Sequence, residues 1–92
     1  MSKLQDVGGE EFRLGHALYN QQKYSEAEGL LRQAEEGRER TVGPDHKDTL
    51  QSKHWLGRTL YGQQKYSEAK ERLQQATDGR ERTVGPDYED TL

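Results

Sequence analysis

The chain repeats nearly the same sequence at a spacing of 42 residues, and this internal repeat constrains its fold more than any other feature. Residues 14–50 and 56–92 are identical at 26 of 37 aligned positions. A fixed period of about 20 to 50 residues is the signature of a stacked repeat architecture, in which each unit packs mainly against its neighbours. Such arrays present extended surfaces, so the repeat favours a binding or scaffolding role over catalysis.

Composition limits the classes of protein to which the chain can belong. Its 92 residues are the size of one small domain, and 28% hydrophobic residues against 34% charged residues predict a thin core. A net charge of −3, with both signs interspersed, provides no basic surface for nucleic acid or anionic lipid. Cysteine is absent, and no apolar run suits a secretory leader or a membrane span. We therefore expect a cytoplasmic chain without nucleic-acid or membrane partners.

The first half of the second copy, at about residues 46–62, carries the signals of a helix. It follows the chain-breaking pair Gly43 and Pro44, and Asp45 is its expected N-cap. Apolar side chains then recur at helical spacing, at Leu50, Trp55, Leu56, Leu60 and Tyr61. Gly57 lies within this helix, where glycine costs about 1 kcal/mol relative to alanine. Because Gly15 is its counterpart in the first copy, we expect a close helix crossing at both glycines.

A second helix is predicted at about residues 68–84. Ser67 is its expected N-cap, and Gly85 with Pro86 is expected to end it. Ala69, Leu73 and Ala76 form one narrow apolar stripe along this helix. Two pairs of opposite charge lie four residues apart and are expected to interact on the exposed side: Glu68 with Arg72, and Asp78 with Arg82. The second copy is thus an antiparallel helical hairpin.

The same pattern in both copies predicts an all-α chain of tandem antiparallel helical hairpins. The four predicted helices lie at about residues 3–21, 26–42, 46–62 and 68–84. One repeat covers about residues 3–44 and the next about 45–86, in a single domain that spans residues 1–92. Residues 87–92 correspond to 45–50, and we interpret them as the start of a truncated third repeat. Since about three repeats are usually needed for stability, we expect the exposed face of the second hairpin to bind a partner.

The recurring residues resemble the tetratricopeptide repeat. In the first copy the matching positions are Leu14, Gly15, Leu18, Tyr24, Ala27, Leu31 and Ala34, and in the second they are Leu56, Gly57, Leu60, Tyr66, Ala69, Leu73 and Ala76. The usual period of that family is about 34 residues. The longer period here, with its Gly-Pro-Asp connector, resembles the kinesin-light-chain-like branch. The resemblance implies a fragment of a right-handed α-solenoid.

The resemblance also implies where a partner binds. The first helices of successive hairpins line a concave groove in that family. The groove positions fall on Phe12, His16, Tyr19 and Asn20 in the first copy, and on Gln51, His54, Arg58, Tyr61 and Gly62 in the second. We expect these residues to contact an extended peptide or another protein, because arginine and histidine bind carboxylates and tyrosine offers a flat contact surface.

Two other kinds of function are weighed against partner binding. The alternative is a structural module that forms a homo-oligomer without a specific ligand, by end-to-end stacking or by hairpin exchange between its own copies. Catalysis is not expected, because His16, His46 and His54 lack the spacing of metal ligands and the sequence has no glycine-rich phosphate loop. No cofactor or metal site is predicted.

Overall fold

Four α-helices in two antiparallel hairpins make up the part of the chain that the structure describes. This computed structural model covers the backbone of residues 7–90 and the side chains of residues 7–83. The helices are α1 (Gly9–Asn20), α2 (Tyr24–Val42), α3 (Lys47–Gly62) and α4 (Tyr66–Asp90). Hairpin 1 consists of α1 and α2, hairpin 2 consists of α3 and α4, and α3 packs against α2 to join them. The predicted all-α architecture of tandem hairpins is confirmed.

The turn inside each hairpin closes the first helix and begins the second without a side-chain cap. Lys23 N donates to Leu18 O at 2.9 Å, and Lys65 N donates to Leu60 O at the same distance. This six-residue bond is typical of a helix end that places one residue in the left-handed region, here Gln22 and Gln64 with φ of 64° and 66°. Each turn leads directly into the next helix.

Helices α2 and α4 therefore begin two residues earlier than predicted. The carbonyl of Lys65 already accepts the backbone N–H of Ala69 at 2.9 Å, so the helical hydrogen bonds start before Ser67. The prediction that Ser67 caps α4 was wrong, since this serine lies within the first turn of the helix.

The cap of α3 also differs from the prediction. His46 is the N-cap, and its Nδ1 accepts the backbone N–H of Asp48 at 3.0 Å. Asp45 lies one residue too early for this role, and its carboxylate instead accepts a hydrogen bond of 2.6 Å from Arg82. The assignment of Asp45 as the cap was therefore wrong by one residue.

The outer ends of the two terminal helices depart from the prediction as well. Helix α1 begins at Gly9, after Gly8 in the left-handed region with φ of 87°, and the remainder of the predicted start at residues 3–6 lies outside the described residues. Helix α4 continues to Asp90, so the predicted stop at Gly85 and Pro86 was wrong. In hairpin 1 the corresponding Gly43 does end α2, because the chain turns there to pack α3 and Thr49 Oγ1 donates to Gly43 O at 2.7 Å. Within the described residues, no helix follows α4 to fix such a turn.

The core is a small apolar cluster, and the two helices of each hairpin cross beside it at a glycine. Its fully buried members are Ala27, Leu31, Leu56, Leu60 and Ala69. A Cβ atom at Gly15 would lie 2.8 Å from Leu31 Cγ, and one at Gly57 would lie 2.7 Å from Leu73 Cγ. These distances are too short for a real Cβ contact, so the predicted close crossing at both glycines is confirmed.

Three of the four side chains in the two pairs predicted along α4 bond to other elements of the fold instead. Glu68 pairs with Arg32 of α2 at 2.7 Å, and Arg72 lies 3.2 Å from Glu35 of α2. Arg82 pairs with Asp45, as described above, while Asp78 accepts from Gln74 at 3.1 Å. The predicted pairs Glu68–Arg72 and Asp78–Arg82 were therefore wrong, because α2 and the connector before α3 lie close enough to compete for the same side chains.

Candidate partner-binding groove

An aromatic cluster centred on Trp55 fills the seam between α1 and α3. The Trp55 ring centroid lies 4.4 Å from that of His16, 5.2 Å from that of Tyr19 and 5.3 Å from that of His54. The interplanar angles are 70°, 69° and 88°, which is the edge-to-face arrangement that aromatic pairs prefer. Trp55 therefore brings predicted groove residues of both hairpins into one surface.

The cluster extends along α1 in both directions. Phe12 stacks on His16 with parallel rings 6.0 Å apart, and the Arg38 guanidinium lies 4.6 Å from the Phe12 centroid. At the other end, Tyr19 lies 5.6 Å from Tyr24 of α2. A guanidinium over a ring face is attracted by the electron-rich face of the ring. The α1 side of the groove is consequently a continuous aromatic row.

Arg58 covers this cluster from the solvent side. Its guanidinium carbon lies 5.1 Å from the Trp55 centroid and 5.8 Å from the Tyr19 centroid, and its Nε donates to Tyr19 Oη at 3.3 Å. The residue is exposed, and no salt bridge among the described residues includes it. The arrangement fixes a planar cation on the groove surface with its remaining N–H groups free to bind a carboxylate.

His54 lies beside this cation in a half-buried position. Burial lowers the pKa of its imidazole below the usual value, and the positive charges of Arg80 and Arg58 lower it further. The neutral form therefore predominates at pH 7, in which one ring nitrogen donates a hydrogen bond and the other accepts one. The groove thus combines a fixed cation with a neutral polar ring.

The structure leaves four predicted groove residues outside this cluster. Asn20 and Gln51 are exposed and take no part in the ring contacts around Trp55. Tyr61 is 61% exposed and pairs with Tyr66 at 5.1 Å, on the side of hairpin 2 that faces away from hairpin 1. Gly62 packs against hairpin 1, since a Cβ atom there would lie 2.9 Å from the Tyr24 ring. Phe12, His16, Tyr19, His54 and Arg58 are the predicted residues that the fold brings together.

Trp55 is the groove residue that sequence reasoning missed. It follows the predicted groove residue His54 directly and has no aromatic counterpart in the other copy, where Arg13 occupies the equivalent position. Comparison of the copies emphasises residues that recur, whereas this side chain is unique to one hairpin. The available signal was its identity as the chain's one tryptophan on a helix already assigned to the groove.

The described part of the chain shows neither a metal site nor a membrane-spanning helix. Among the side chains of residues 7–83, no cluster of three or more histidine, aspartate and glutamate residues is arranged to hold a metal ion. None of the four described helices combines the length and apolar content that a membrane crossing requires.

Comparison with known proteins identifies the family of the fold. The sequence pattern that defines the tetratricopeptide repeat matches residues 11–91. No curated protein and no solved structure matches the chain significantly. Tetratricopeptide repeats generally mediate protein–protein interactions and scaffolding, and they are typically non-catalytic. Because the match spans nearly the whole sequence and the structure has the corresponding tandem hairpins, the chain belongs to the tetratricopeptide repeat family.

Proposed function

We propose that the groove centred on Trp55 binds an extended segment of a partner protein that carries a carboxylate next to an apolar side chain. One observation carries the proposal above all: the guanidinium of Arg58 lies over the Trp55 and Tyr19 rings, is exposed, and is in no salt bridge with a described residue. The 42-residue period leads us to place the chain in the kinesin-light-chain-like branch of its family.

The chemistry of the groove suits such a segment. A guanidinium binds a carboxylate through two parallel hydrogen bonds, and stacking on aromatic rings reduces the conformational freedom that binding would otherwise remove. Trp55 and Tyr19 stay partly exposed beside the guanidinium, and their exposed ring atoms supply apolar contact for the adjoining side chain. His54 in its neutral form can hydrogen-bond the peptide backbone without adding a second full charge.

A peptide array tests this proposal. Peptides that pair an acidic residue with an aromatic residue are expected to bind better than peptides in which lysine replaces the acidic residue. Arg58→Ala is expected to weaken binding of the best peptide roughly tenfold, as measured by fluorescence anisotropy, because a charge-assisted hydrogen bond contributes about 1.5–3 kcal/mol.

Arg40→Ala is the matched control. Arg40 is an exposed arginine of α2 and takes no part in the contacts around Trp55. Its removal changes the net charge by the same amount and is expected to leave binding unchanged. An equal loss of peptide affinity in the two variants would show that only the overall charge of the protein matters. Peptide affinity that Arg58→Ala leaves unchanged would refute the groove as the binding site.

A further inference from the structure

The interface between the two hairpins provides a template for the outer ends of the molecule. Since the hairpins are copies, each residue of hairpin 1 at this interface has an equivalent 42 positions later on the far side of hairpin 2. Likewise, each interface residue of hairpin 2 has an equivalent 42 positions earlier on the far side of hairpin 1. We call these two surfaces the outer face of hairpin 2 and the outer face of hairpin 1.

Apolar side chains that the internal interface covers are exposed at the outer faces. Leu56 is fully buried, whereas its equivalent Leu14 is 50% exposed. Tyr24 packs against Gly62 of the neighbouring hairpin, whereas its equivalent Tyr66 is 54% exposed beside Tyr61. The outer faces therefore present the two halves of the apolar contact that joins the hairpins.

The charged residues of the internal interface are complementary. The charged side chains of hairpin 1 that bond across it are Glu28, Arg32, Glu35, Arg38 and Glu39, with a net charge of −1. The side chains of hairpin 2 that they meet include Ser52, Lys53, Lys65, Glu68 and Arg72, with a net charge of +2. An acidic surface thus meets a basic one.

At each outer face, the residues equivalent to those of the internal interface carry a net charge of the opposite sign. The equivalents on hairpin 2 are Lys70, Gln74, Thr77, Arg80 and Glu81, with a net charge of +1. The equivalents on hairpin 1 are Glu10, Glu11, Lys23, Glu26 and Leu30, with a net charge of −2. The two outer faces are therefore complementary to each other. Stacking one hairpin 2 on another would place an outer face of charge +1 against an interface side of charge +2. Stacking one hairpin 1 on another would place an interface side of charge −1 against an outer face of charge −2.

We propose that a second copy of this chain stacks the outer face of its hairpin 1 on the outer face of hairpin 2, in the geometry of the internal interface. The template assigns particular contacts. Arg38 donates to Ser52 Oγ at 3.0 Å in the internal interface, and the equivalent pair between copies joins Arg80 to Glu10, a carboxylate. Leu14 enters the position equivalent to Leu56, against the side of hairpin 2 that holds Ala69 and Leu73.

This contact leaves one complementary face free at each end of the pair. Head-to-tail stacking of this kind adds copies without closing, so the proposal predicts open-ended growth with concentration. Sedimentation velocity of the full chain is expected to show an average mass that rises continuously with concentration and falls with salt. A monomer that persists to concentrations of roughly 1 mM, or a dimer that does not grow further, would overturn the proposal.

Leu14→Gln tests the apolar part of the contact. It is expected to raise the dissociation constant of self-association about tenfold. In the unmodified chain, association buries the exposed half of the leucine side chain, and the variant loses this hydrophobic contribution. Val42→Gln is the control, since Val42 is 45% exposed and belongs to neither outer face. Circular dichroism of both variants separates a loss of association from a loss of folding, and an unchanged dissociation constant in folded Leu14→Gln would contradict the assigned contact.

A charge exchange tests the pairing between copies. Arg80→Glu and Glu10→Arg are each expected to weaken association roughly fivefold, since each sets two like charges together at a partly exposed contact. The double variant is expected to recover association to within about twofold of the unmodified chain, because the pair is restored with its signs reversed. Additive losses in the double variant would refute the pairing. Arg80 acts on the groove residue His54 through its charge, but neither Arg80 nor Glu10 takes part in the contacts of Arg58 with Trp55 and Tyr19. Additive losses would therefore refute the stacking of copies without refuting the proposed peptide groove.

Discussion

Two helical glycines of the chain have opposite surroundings, and the repeat already separates them, because Gly57 recurs in the other copy and Gly29 does not. Gly57 lies where α3 crosses α4, and a Cβ atom there would meet Leu73 at 2.7 Å and the carbonyl oxygen of Ala69 at 3.3 Å. Gly29 faces open space, with no atom within 4 Å of an added Cβ. We expect Gly57→Ala to lower the free energy of unfolding by about 1–3 kcal/mol, since overpacking exceeds the gain in helix propensity.

Gly29→Ala is the matched control and is expected to raise the free energy of unfolding by about 0.5–1 kcal/mol, because only the propensity term remains. Urea denaturation followed by circular dichroism measures both changes. If Gly57→Ala raised the free energy of unfolding, Leu73 would have moved aside without cost, and the close crossing of α3 and α4 would not require a glycine.

Glu28 links the stability of the fold to acid pH. Burial raises the pKa of its carboxyl, but hydrogen bonds from Gln63, Arg32 and Lys65 outweigh burial and hold this pKa at about 2 against an ordinary value of 4.5. The unfolded chain therefore takes up this proton first as pH falls. The stabilisation is present above pH 4.5 and is lost progressively as pH falls toward 2.

Glu28→Gln is expected to lower the free energy of unfolding at pH 7 by about 1–3 kcal/mol and to flatten its decline below pH 4.5. Glu26→Gln, at an exposed position on the same helix, controls for the loss of one charge. Unfolding measured in urea from pH 3 to pH 7 compares the variants. An acid profile of Glu28→Gln that is parallel to that of the unmodified chain would assign the effect to other carboxylates.

At the scale of elements, a buried lysine fixes how α3 lies on α2. Lys53 is 8% exposed, and its Nζ donates to Glu35 at 2.8 Å, to Glu39 at 2.9 Å and to Gln75 at 3.3 Å. Burial lowers the pKa of this amine, but the two carboxylates outweigh burial and raise it. The charged form is therefore held between the hairpins, and the surrounding acceptors satisfy its three donors.

Lys53→Met is expected to lower the free energy of unfolding by about 2–3 kcal/mol, because it leaves Glu35 buried with only Arg72 nearby. Lys65→Met removes the same charge from a side chain that is 51% exposed and 3.2 Å from Glu28, and we expect a loss below about 1 kcal/mol. Equal losses in urea denaturation would show that burial does not distinguish the two lysines.

The helices were predictable from the sequence wherever local chemistry decides them. The glycine crossings followed from recurrence of Gly15 and Gly57, and the end of α2 followed from Gly43. The end of α4 did not, since Gly85 has the same neighbours in sequence but the described structure has no following helix to make the turn favourable. A helix stop therefore depends partly on tertiary contacts that a local pattern does not contain.

The groove was predictable only in part, for a similar reason. Family resemblance placed His16 and His54 on one surface, but neither periodicity nor recurrence indicated that Trp55 would lie between them. Arg58 was identified as a possible carboxylate ligand, whereas its stacking on Tyr19 depends on how α3 lies beside α1. Side chains that cross between helices in this way are set by packing, which sequence spacing within one helix does not describe.

At the scale of the whole molecule, the order of the hairpins depends on side chains that differ between the copies. Hairpin 1 supplies Glu28 and Glu35 to Lys65 and Lys53 of hairpin 2. The equivalent positions of hairpin 2 hold Lys70 and Thr77, which offer those lysines no carboxylate. The framework residues of the two copies are interchangeable by sequence, but these interface residues allow hairpin 2 to stack on hairpin 1 and disfavour its stacking on another hairpin 2.

Exchanging these residues within the chain tests that conclusion. The double variant Glu28→Lys and Glu35→Thr gives hairpin 1 the side chains of hairpin 2, and we expect the free energy of unfolding to fall by about 3 kcal/mol or more. The introduced lysine would then face Lys65, and Lys53 would keep only Glu39 and Gln75 as partners. The reverse exchange on the outer face, Lys70→Glu with Thr77→Glu, should change monomer stability by less than about 0.5 kcal/mol, because these positions are exposed. Urea denaturation at low protein concentration measures both variants without self-association, and comparable losses would mean that hairpin order is set by the connector alone.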